Sequence, residues 1–429
     1  MMGVEHMLLP VYSLYLGLSP AYIGFAIIFP TFWDGFMGLV VAQFSDNLKT
    51  RWGRRKPMII FGAIISAIAF TLIWMAPASW SENGRAAWLV GSLILFWSAN
   101  AIYFVPLDAL GLSLASGYHD RTSLMAFRSF FAKIGQLASG WCFWLVEKGW
   151  FGSEQNGAIV VGILWATIAL VLGAWSGIFL KEPKIAETHT TKKFKWVASM
   201  KIAIKNKSFL RITGFLLFTS ASLSITNAVH FYANLHYVSQ GQSELASELT
   251  GASISLNIIS GMIALPIVSW ASQRLGKHRV AQIAVGLTGF GSLSSWFLMT
   301  PENPWASLWI APTIGVGIVA VFQLYFSMLA DAAEEAALIN GIRNEGIYSA
   351  ISSILVKIGQ SIAIAGSGLV LSSIGIEGKD FIPSAEQMTW LRTIRAIAPA
   401  ILTCAAIACL ADYQLNESAL IKLRKENKS

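Results

Sequence analysis

Three charged residues lie inside mostly apolar stretches of the sequence, where an isolated charge is costly. They are Asp34, Arg128 and Lys357. Charged residues inside membrane helices usually mark substrate or ion pathways and pair with one another. A carboxylate can carry a proton or hold a cation, and the planar guanidinium of arginine donates several hydrogen bonds to hydroxyls or carboxylates. The pattern predicts a polar pathway through an apolar protein, and Asp34 is the partner that we expect for Lys357.

The composition places these charges in a membrane protein. The chain has 429 residues, of which 55% are hydrophobic and 13% charged, and its mean hydropathy is +0.58. A soluble domain carries roughly 25% charged residues, so this chain has too few polar side chains to cover a water-soluble surface. Eleven apolar stretches between residues 21 and 411 reach or approach the length of a transmembrane helix. The sequence therefore predicts an all-α integral membrane protein in contact with a lipid bilayer.

A twelfth apolar stretch, at residues 4–18, is shorter than the others. At 1.5 Å per residue it spans roughly 22 Å of a hydrocarbon core about 30 Å thick. We therefore predict a truncated first helix, and we expect the natural reading frame to start upstream of Met1.

Basic residues are concentrated in alternate loops. They cluster after the second span, in the linker at 181–207 and in the tail after 412, whereas the loops at 17–20 and 300–304 carry none. Basic loops stay in the cytoplasm. This pattern predicts a plasma (inner) membrane protein with both termini in the cytoplasm, which requires an even number of spans and favours twelve. The net charge of +8 follows from this topology, so we expect no nucleic-acid partner.

The basic linker divides the chain into two halves. We predict an N-terminal transmembrane bundle at 1–180, a cytoplasmic linker at 181–207, a C-terminal bundle at 208–411 and a cytoplasmic tail at 412–429. A weak internal repeat supports the division, since RWGRR follows the second span of the first half and RLGKHR the second span of the second half. Two parallel halves are typical of the major facilitator fold, here two six-helix bundles. By analogy with that architecture we expect a monomer.

The first of these loops holds the strongest motif, from Asp46 to Pro57. A tight turn between two helices favours Gly53, and Pro57 suits the first turn of the next helix. The acid at the end of the preceding helix can pair with a nearby arginine and hold the protein in one state. The residues assigned to this gating role are Asp46, Arg51, Gly53, Arg54 and Arg55. The alternative is that the motif only sets the topology.

Five segments together resemble the glycoside–pentoside–hexuronide:cation symporters. They are Asp34, the SDN-x-x-x-RWGRRKP run, VPLDALG at 105–111, DRTSLMAFRSFFAKIG at 120–135 and ADAAEEAALINGIRNEG…VKIG at 330–359. The resemblance covers nearly the whole chain in the same order. It implies a sugar or sugar-like cargo, coupled to protons or sodium and moved by alternating access.

The resemblance also implies the coupling site. In that family the position of Asp34 is the first of two carboxylates, four residues apart, that bind the coupling cation, but the second position here is Gly38. Because a single carboxylate can still carry a proton, this departure favours proton coupling, or no coupling, over sodium. Lys357 matches a family lysine near both cargo and cation.

Cargo and gating residues are carried over in the same way. Arg128 matches a sugar-contacting arginine, and Phe322 lies where the family stacks a tryptophan on the sugar, although an aromatic residue at helical spacing is more often plain packing. The family's sugar-binding carboxylate falls on Phe104, and Asp108, one turn later, is its substitute here. Asp331 and Arg343 flank a cytoplasmic turn and either help to hold the inward-closed state or are simply solvated. We assign both residues the same gating role as the residues of the first loop.

Two other functions stay open on the sequence. One is an uncoupled facilitator or a carrier of a lipid-like solute, because Gly38 and Phe104 make the pathway less polar than in sugar symporters. The other is a non-transporting sensor or inactive paralogue, suggested by the short first helix. The sequence has no nucleophile elbow, phosphate-binding loop or HExxH motif, so we expect neither an enzyme nor a cofactor or metal site beyond the coupling ion.

Overall fold

The computed structural model consists of long helices joined by short loops. It describes residues 7–48, 50–53, 55–114, 130–180, 205–340, 345–373, 375, 383–413 and 415. The α-helices are α1 (Pro20–Asn47), α2 (Lys56–Trp74), α3 (Glu82–Leu114), α4 (Cys142–Glu147), α5 (Glu154–Phe179), α6 (Lys207–Tyr232), α7 (Ser243–Leu275), α8 (Lys277–Leu298), α9 (Ile310–Asn340), α10 (Glu345–Ser373) and α11 (Ala385–Cys409). Residues 7–10 and 130–140 are also helical, two π-helical turns cover Val11–Tyr15 and Ala233–Val238, and a 3₁₀ turn covers Pro304–Trp309.

Within the described residues, eight helices are long and apolar enough to cross a membrane. Their outer faces carry large apolar side chains that water would not tolerate in such numbers, such as Leu172 and Trp309, which are 65% and 75% exposed. The prediction of an all-α, multi-span membrane protein is confirmed. The count of twelve spans stays a prediction, because residues 115–129 lie outside the described part.

The chain folds as two compact units. The first contains residues 1–188 together with 368–382, and the second contains residues 189–367 together with 383–429. The last residues of α10 thus belong to the first unit. There the Ser372 hydroxyl shares a hydrogen bond of 3.0 Å with the Ser19 hydroxyl and accepts a second one, of 3.1 Å, from the Ala21 amide.

The short first segment is packed inside the first unit. Met7 and Tyr12 are fully buried, and the Tyr12 hydroxyl donates to the Ile73 carbonyl at the end of α2 over 2.5 Å. The Arg85 guanidinium of α3 donates to the carbonyl of Leu16. The segment is therefore held by two neighbouring helices, although its apolar run is short.

Small residues let the helices of each unit approach closely, as is common in membranes. In the first unit a methyl group on Gly62 of α2 would lie 2.6 Å from the backbone nitrogen of Tyr103 on α3. In the second unit a methyl group on Gly315 of α9 would collide with the Asn257 carbonyl of α7. These close contacts fix the positions of the helices that bear the polar residues.

Candidate transport site and gating loops

Asp34 lies half-buried in the middle of α1. The neighbouring Trp33 donates from its indole nitrogen to the hydroxyl of Ser98 on α3 over 2.7 Å. Its ring also lies 5.6 Å from that of Phe36. This polar contact and the packing of Met37 against a buried cluster fix the rotation of α1 at the depth of Asp34.

Gly38 follows Asp34 by one helical turn and faces open space. A methyl group built on it meets no heavy atom within 4 Å. Residues four apart on an α-helix share one face. Gly38 stands at the position of the second carboxylate of related symporters. The space around it is open, so a larger side chain would fit there beside Asp34.

Asp108 lies near the end of α3, one turn after Phe104. Phe104 is 38% exposed, whereas Asp108 is half-buried. Between them Pro106 lacks an amide hydrogen, so the carbonyl of Ile102 loses its usual helical donor. The shared helix face of Phe104 and Asp108 is consistent with the substitution that we predict, but the cargo role of Asp108 stays a prediction.

The loop after α1 forms the glycine turn that its sequence predicts. Gly53 has a φ of +104°, a conformation that side chains disfavour. Its amide donates to the Thr50 carbonyl over 3.2 Å, and the Thr50 hydroxyl donates back to the Gly53 carbonyl over 2.5 Å. Arg51 is exposed on this turn, while Lys56 donates to the Ile178 carbonyl of α5 over 3.1 Å.

Asp46 belongs to the last turn of α1, and Arg55 directly precedes α2. Their gating role stays a prediction. Three predicted site residues, Arg54, Arg128 and Arg343, lie outside the described residues.

In the second unit, Lys357 lies half-buried on α10, and its carbonyl accepts a hydrogen bond from the Ser361 hydroxyl over 2.9 Å. Phe322 of α9 packs against the buried core of this unit, an arrangement that suits the packing interpretation. Since Lys357 and Asp34 belong to different units, their pairing stays a prediction.

Asp331, near the end of α9, has a well-defined partner. Its carboxylate accepts a hydrogen bond and ion pair from Lys277 Nζ over 2.5 Å, and the two side chains are 20% and 41% exposed. Lys277 belongs to RLGKHR, the repeat of the first loop, in which Gly276 has a φ of +88°. The second repeat loop is thus tied by a salt bridge to the helix end that it faces.

The surroundings of this pair are polar and partly buried. Asn206, before α6, donates to Glu335 Oε2 over 3.3 Å, and burial raises the pKa of the Tyr413 phenol, which the charges of Asp331 and Glu335 raise further. Tyr413 therefore stays protonated across the physiological pH range.

Sequence reasoning missed a second group in this unit. Arg395 of α11 is 2% exposed and lines a small cavity with Arg392 of the same helix. Both arginines stand in an apolar helix three residues apart, so the rule that intramembrane charges mark function could have found them.

Comparisons with known proteins identify the family of this chain. A family model described as MFS/sugar transport protein matches residues 1–417. The isoprimeverose transporter of Lactiplantibacillus pentosus is 26% identical over 383 residues, which cover 85% of this chain and 75% of that protein. The glucuronide carrier protein homolog of Escherichia coli is 20% identical, with 96% and 88% covered.

The relatives differ in the cargo that their names state. The sodium-dependent lysophosphatidylcholine symporter 1 of Gallus gallus is 22% identical over 450 residues, which cover 96% of this chain and 82% of that protein. A solved structure from work on substrate recognition in proton-dependent oligopeptide transporters matches with a TM-score of 0.68 at 12% identity, covering 99% of this chain and 96% of that one. At this identity the match shows the fold alone. The resemblance to glycoside–pentoside–hexuronide symporters is confirmed, and the chain belongs to the major facilitator family of sugar transport proteins, a family of membrane transporters rather than enzymes.

Proposed function

We propose that this protein carries a sugar or glycoside across the membrane together with a proton, and that Asp34 is the proton-carrying group. The observation that carries the proposal is the half-buried carboxylate of Asp34 in the middle of α1, with open space where a side chain on Gly38 would lie. The cargo class rests on the family and on the sugar-transporting relatives.

The choice of a proton follows from ligand number. A proton needs one basic atom, whereas a sodium ion needs several oxygen ligands around it. The family uses two carboxylates at this place, and this chain keeps only that of Asp34. One carboxylate is enough to bind a proton but supplies few of the oxygen ligands that sodium needs, so proton binding is favoured over sodium binding. The sodium-dependent relative makes sodium the outcome that an experiment must separate from this one.

The wider proposal concerns topology and movement. The charge pattern supports the division at the linker of residues 181–207 and the placement of both termini in the cytoplasm of a plasma membrane protein. A monomeric state is proposed by analogy with this architecture. Transport then proceeds by rocking of two bundles about a central site. Asp108, Arg128, Phe322 and Lys357 are the proposed cargo contacts.

Replacing Asp34 with Asn is expected to abolish uphill sugar accumulation, because the amide cannot take up and release a proton. Exchange of labelled for unlabelled sugar is expected to continue, since exchange needs no net proton movement. The measurement is sugar uptake and external pH in lightly buffered vesicles, with a panel of mono- and disaccharides.

The matched control is Asp412→Asn, which removes a carboxylate whose side chain is 79% exposed at the end of the chain's last described segment. It is expected to accumulate sugar normally. Normal accumulation in the Asp34→Asn protein would contradict the coupling role.

Replacing Gly38 with Asp is expected to make sugar uptake respond to sodium. The new carboxylate has room beside Asp34 and lies on the same helix face, which restores the pair that the family uses. Uptake at fixed pH, measured with and without sodium, should rise several-fold with sodium in this variant only. A sodium response already present in the unaltered protein would overturn proton coupling.

A second candidate is the carriage of a lipid-like solute. It is favoured by the exposed Phe104 ring at the position of the family's sugar-binding carboxylate and by the lysophosphatidylcholine-transporting relative. Uptake of a labelled lysophospholipid, with no response to any sugar, would support it. An absence of uptake for every solute in properly inserted protein would instead support the sensor or inactive paralogue.

A further inference from the structure

An unneutralised cationic site lies deep in the second unit, and its arginines are not among the residues assigned to transport. Arg395 is the eleventh residue of α11, so it lies roughly 15 Å along the helix from its start at Ala385. Only 2% of its surface is exposed to solvent. A guanidinium at such a depth needs a counter-charge.

No protein group among the described residues supplies that counter-charge. The Nε and Nη1 atoms of Arg395 are buried without a hydrogen-bond acceptor, and so is Nε of Arg392. The remaining contacts of Arg392 are a hydrogen bond from Nη2 to the Trp296 carbonyl over 2.7 Å and stacking over the Tyr237 and Trp296 rings at 4.4 and 4.5 Å. None of these partners carries a negative charge.

The two arginines open onto a common cavity. It has a volume of about 10 Å³ and is lined by Ala233, Tyr237, Ser295, Met299, Arg392 and Arg395. That volume is about the minimum needed for one water-sized guest. Because the lining offers hydrogen-bond donors and two positive charges but no carboxylate, a guest of this size is held best when it is an anion.

The wall of the cavity also has an unusual backbone. Ala233 and Tyr237 belong to the π-helical turn that ends the first helix of this unit, and such turns are frequent at functional sites. Close by on the same turn, Asn234 is fully buried and its Oδ1 has no hydrogen-bond donor, while its Nδ2 contacts His230 and Thr250. The turn beside the cavity therefore carries a buried side-chain oxygen that accepts no hydrogen bond among the described residues.

We propose that Arg395, assisted by Arg392, binds a small monovalent anion of halide size within the second unit. The anion completes the charge balance of the helix bundle formed by α6, α8 and α11. The chemistry fits either a free halide or a compact carboxylate, and the site is independent of the coupling role proposed for Asp34.

The test is thermal unfolding of the full-length protein in detergent, followed by intrinsic tryptophan fluorescence at constant ionic strength. Sodium gluconate is the reference, because its anion is too large for the cavity, and bromide or formate replaces it stepwise. A ligand that binds only the folded state raises the unfolding midpoint. We expect bromide to raise it by about 2 °C or more at saturation.

Arg395→Met is expected to lose this response, while Arg211→Met, which removes an arginine paired with Asp412, keeps it. A formate response that is also lost in Arg395→Met assigns the site to carboxylates as well, whereas a response to bromide alone assigns it to halides. Equal responses in the unaltered protein and Arg395→Met, or no response in the unaltered protein, would overturn the proposal.

A second variant and a direct measurement protect the test against misfolding. Arg392→Met keeps the deeper arginine and is expected to weaken the midpoint response several-fold. Bromide anomalous scattering from crystals of the unaltered protein should place a peak beside the guanidinium of Arg395, and density elsewhere only would count against the site.

Discussion

The second unit holds two basic groups whose surroundings differ. Lys277 is the first residue of α8, and its ammonium group pairs with the carboxylate of Asp331 over 2.5 Å. Arg395 lies deep in α11, and neither its Nε nor its Nη1 finds an acceptor among the described residues. In one place the chain supplies the counter-charge, and in the other it leaves room for something else to supply it.

This difference indicates how each charge can respond to the environment. A salt bridge within the chain breaks when its two helices move apart, so the Lys277–Asp331 pair is suited to report or stabilise a conformation. A charge without a fixed partner responds to the composition of the solution. The comparison therefore separates a conformational element from a ligand site within one bundle.

The largest effect is expected from giving the unneutralised arginine site a counter-charge within the chain, as Lys277 already has in Asp331. Ser295→Asp places a carboxylate on the wall of the cavity shared by both arginines. Because an uncompensated buried charge costs a few kcal/mol, a partner within the chain should raise the unfolding midpoint in halide-free buffer by about 5 °C. The bromide response should vanish at the same time.

Ser295→Asn is the control, since asparagine has nearly the same size as aspartate but carries no charge. It is expected to keep the bromide response and to leave the halide-free midpoint close to that of the unaltered protein. If the aspartate and asparagine variants behave alike, charge is not what distinguishes the two sites.

A smaller effect is expected from breaking the existing pair. Asp331→Asn and Lys277→Gln, alone and combined, form a double-mutant cycle whose coupling free energy should be about 1 kcal/mol, because the partners are partly exposed. Chemical unfolding of the four proteins measures it. Sugar uptake should fall several-fold in each single variant if the pair also sets a conformation.

Arg51→Gln, in the exposed turn of the first repeat loop, serves as the reference for a basic residue on the surface. Its unfolding free energy should stay within about 0.5 kcal/mol of the unaltered protein. A coupling near zero for Lys277 and Asp331 would place that pair in the same class as Arg51.

The sequence predicted those features that depend on local chemistry. The apolar runs identified the membrane helices, Gly53 marked a turn with positive φ, and Pro57 entered the first turn of α2. Each of these follows from the preferences of a single residue or a short window. The family assignment was accessible for the same reason, since its motifs are short and contiguous.

The rest depends on contacts between distant parts of the chain. RLGKHR was recognised as a repeat and Asp331 as a gating residue, but 54 positions separate Lys277 from Asp331, and no local pattern joins them. Arg395 was overlooked because an apolar helix tolerates an arginine whenever a neighbour neutralises it. Only the packing of α6, α8 and α11 reveals that the described neighbours do not.

The widened π-helical turns have a consequence for helix register. One covers Val11–Tyr15 shortly before α1, and the other covers Ala233–Val238 shortly before α7, so each half carries one at the end of its first helix. A π-helical turn contains one residue more than the α-helical turn it replaces. The surplus residue can pass along the helix one step at a time, which rotates each residue that it has passed by about 100° with the exchange of few hydrogen bonds. The two halves thus share a position at which a helix can change register without unfolding, although the sequences VYSLY and ANLHYV have little in common.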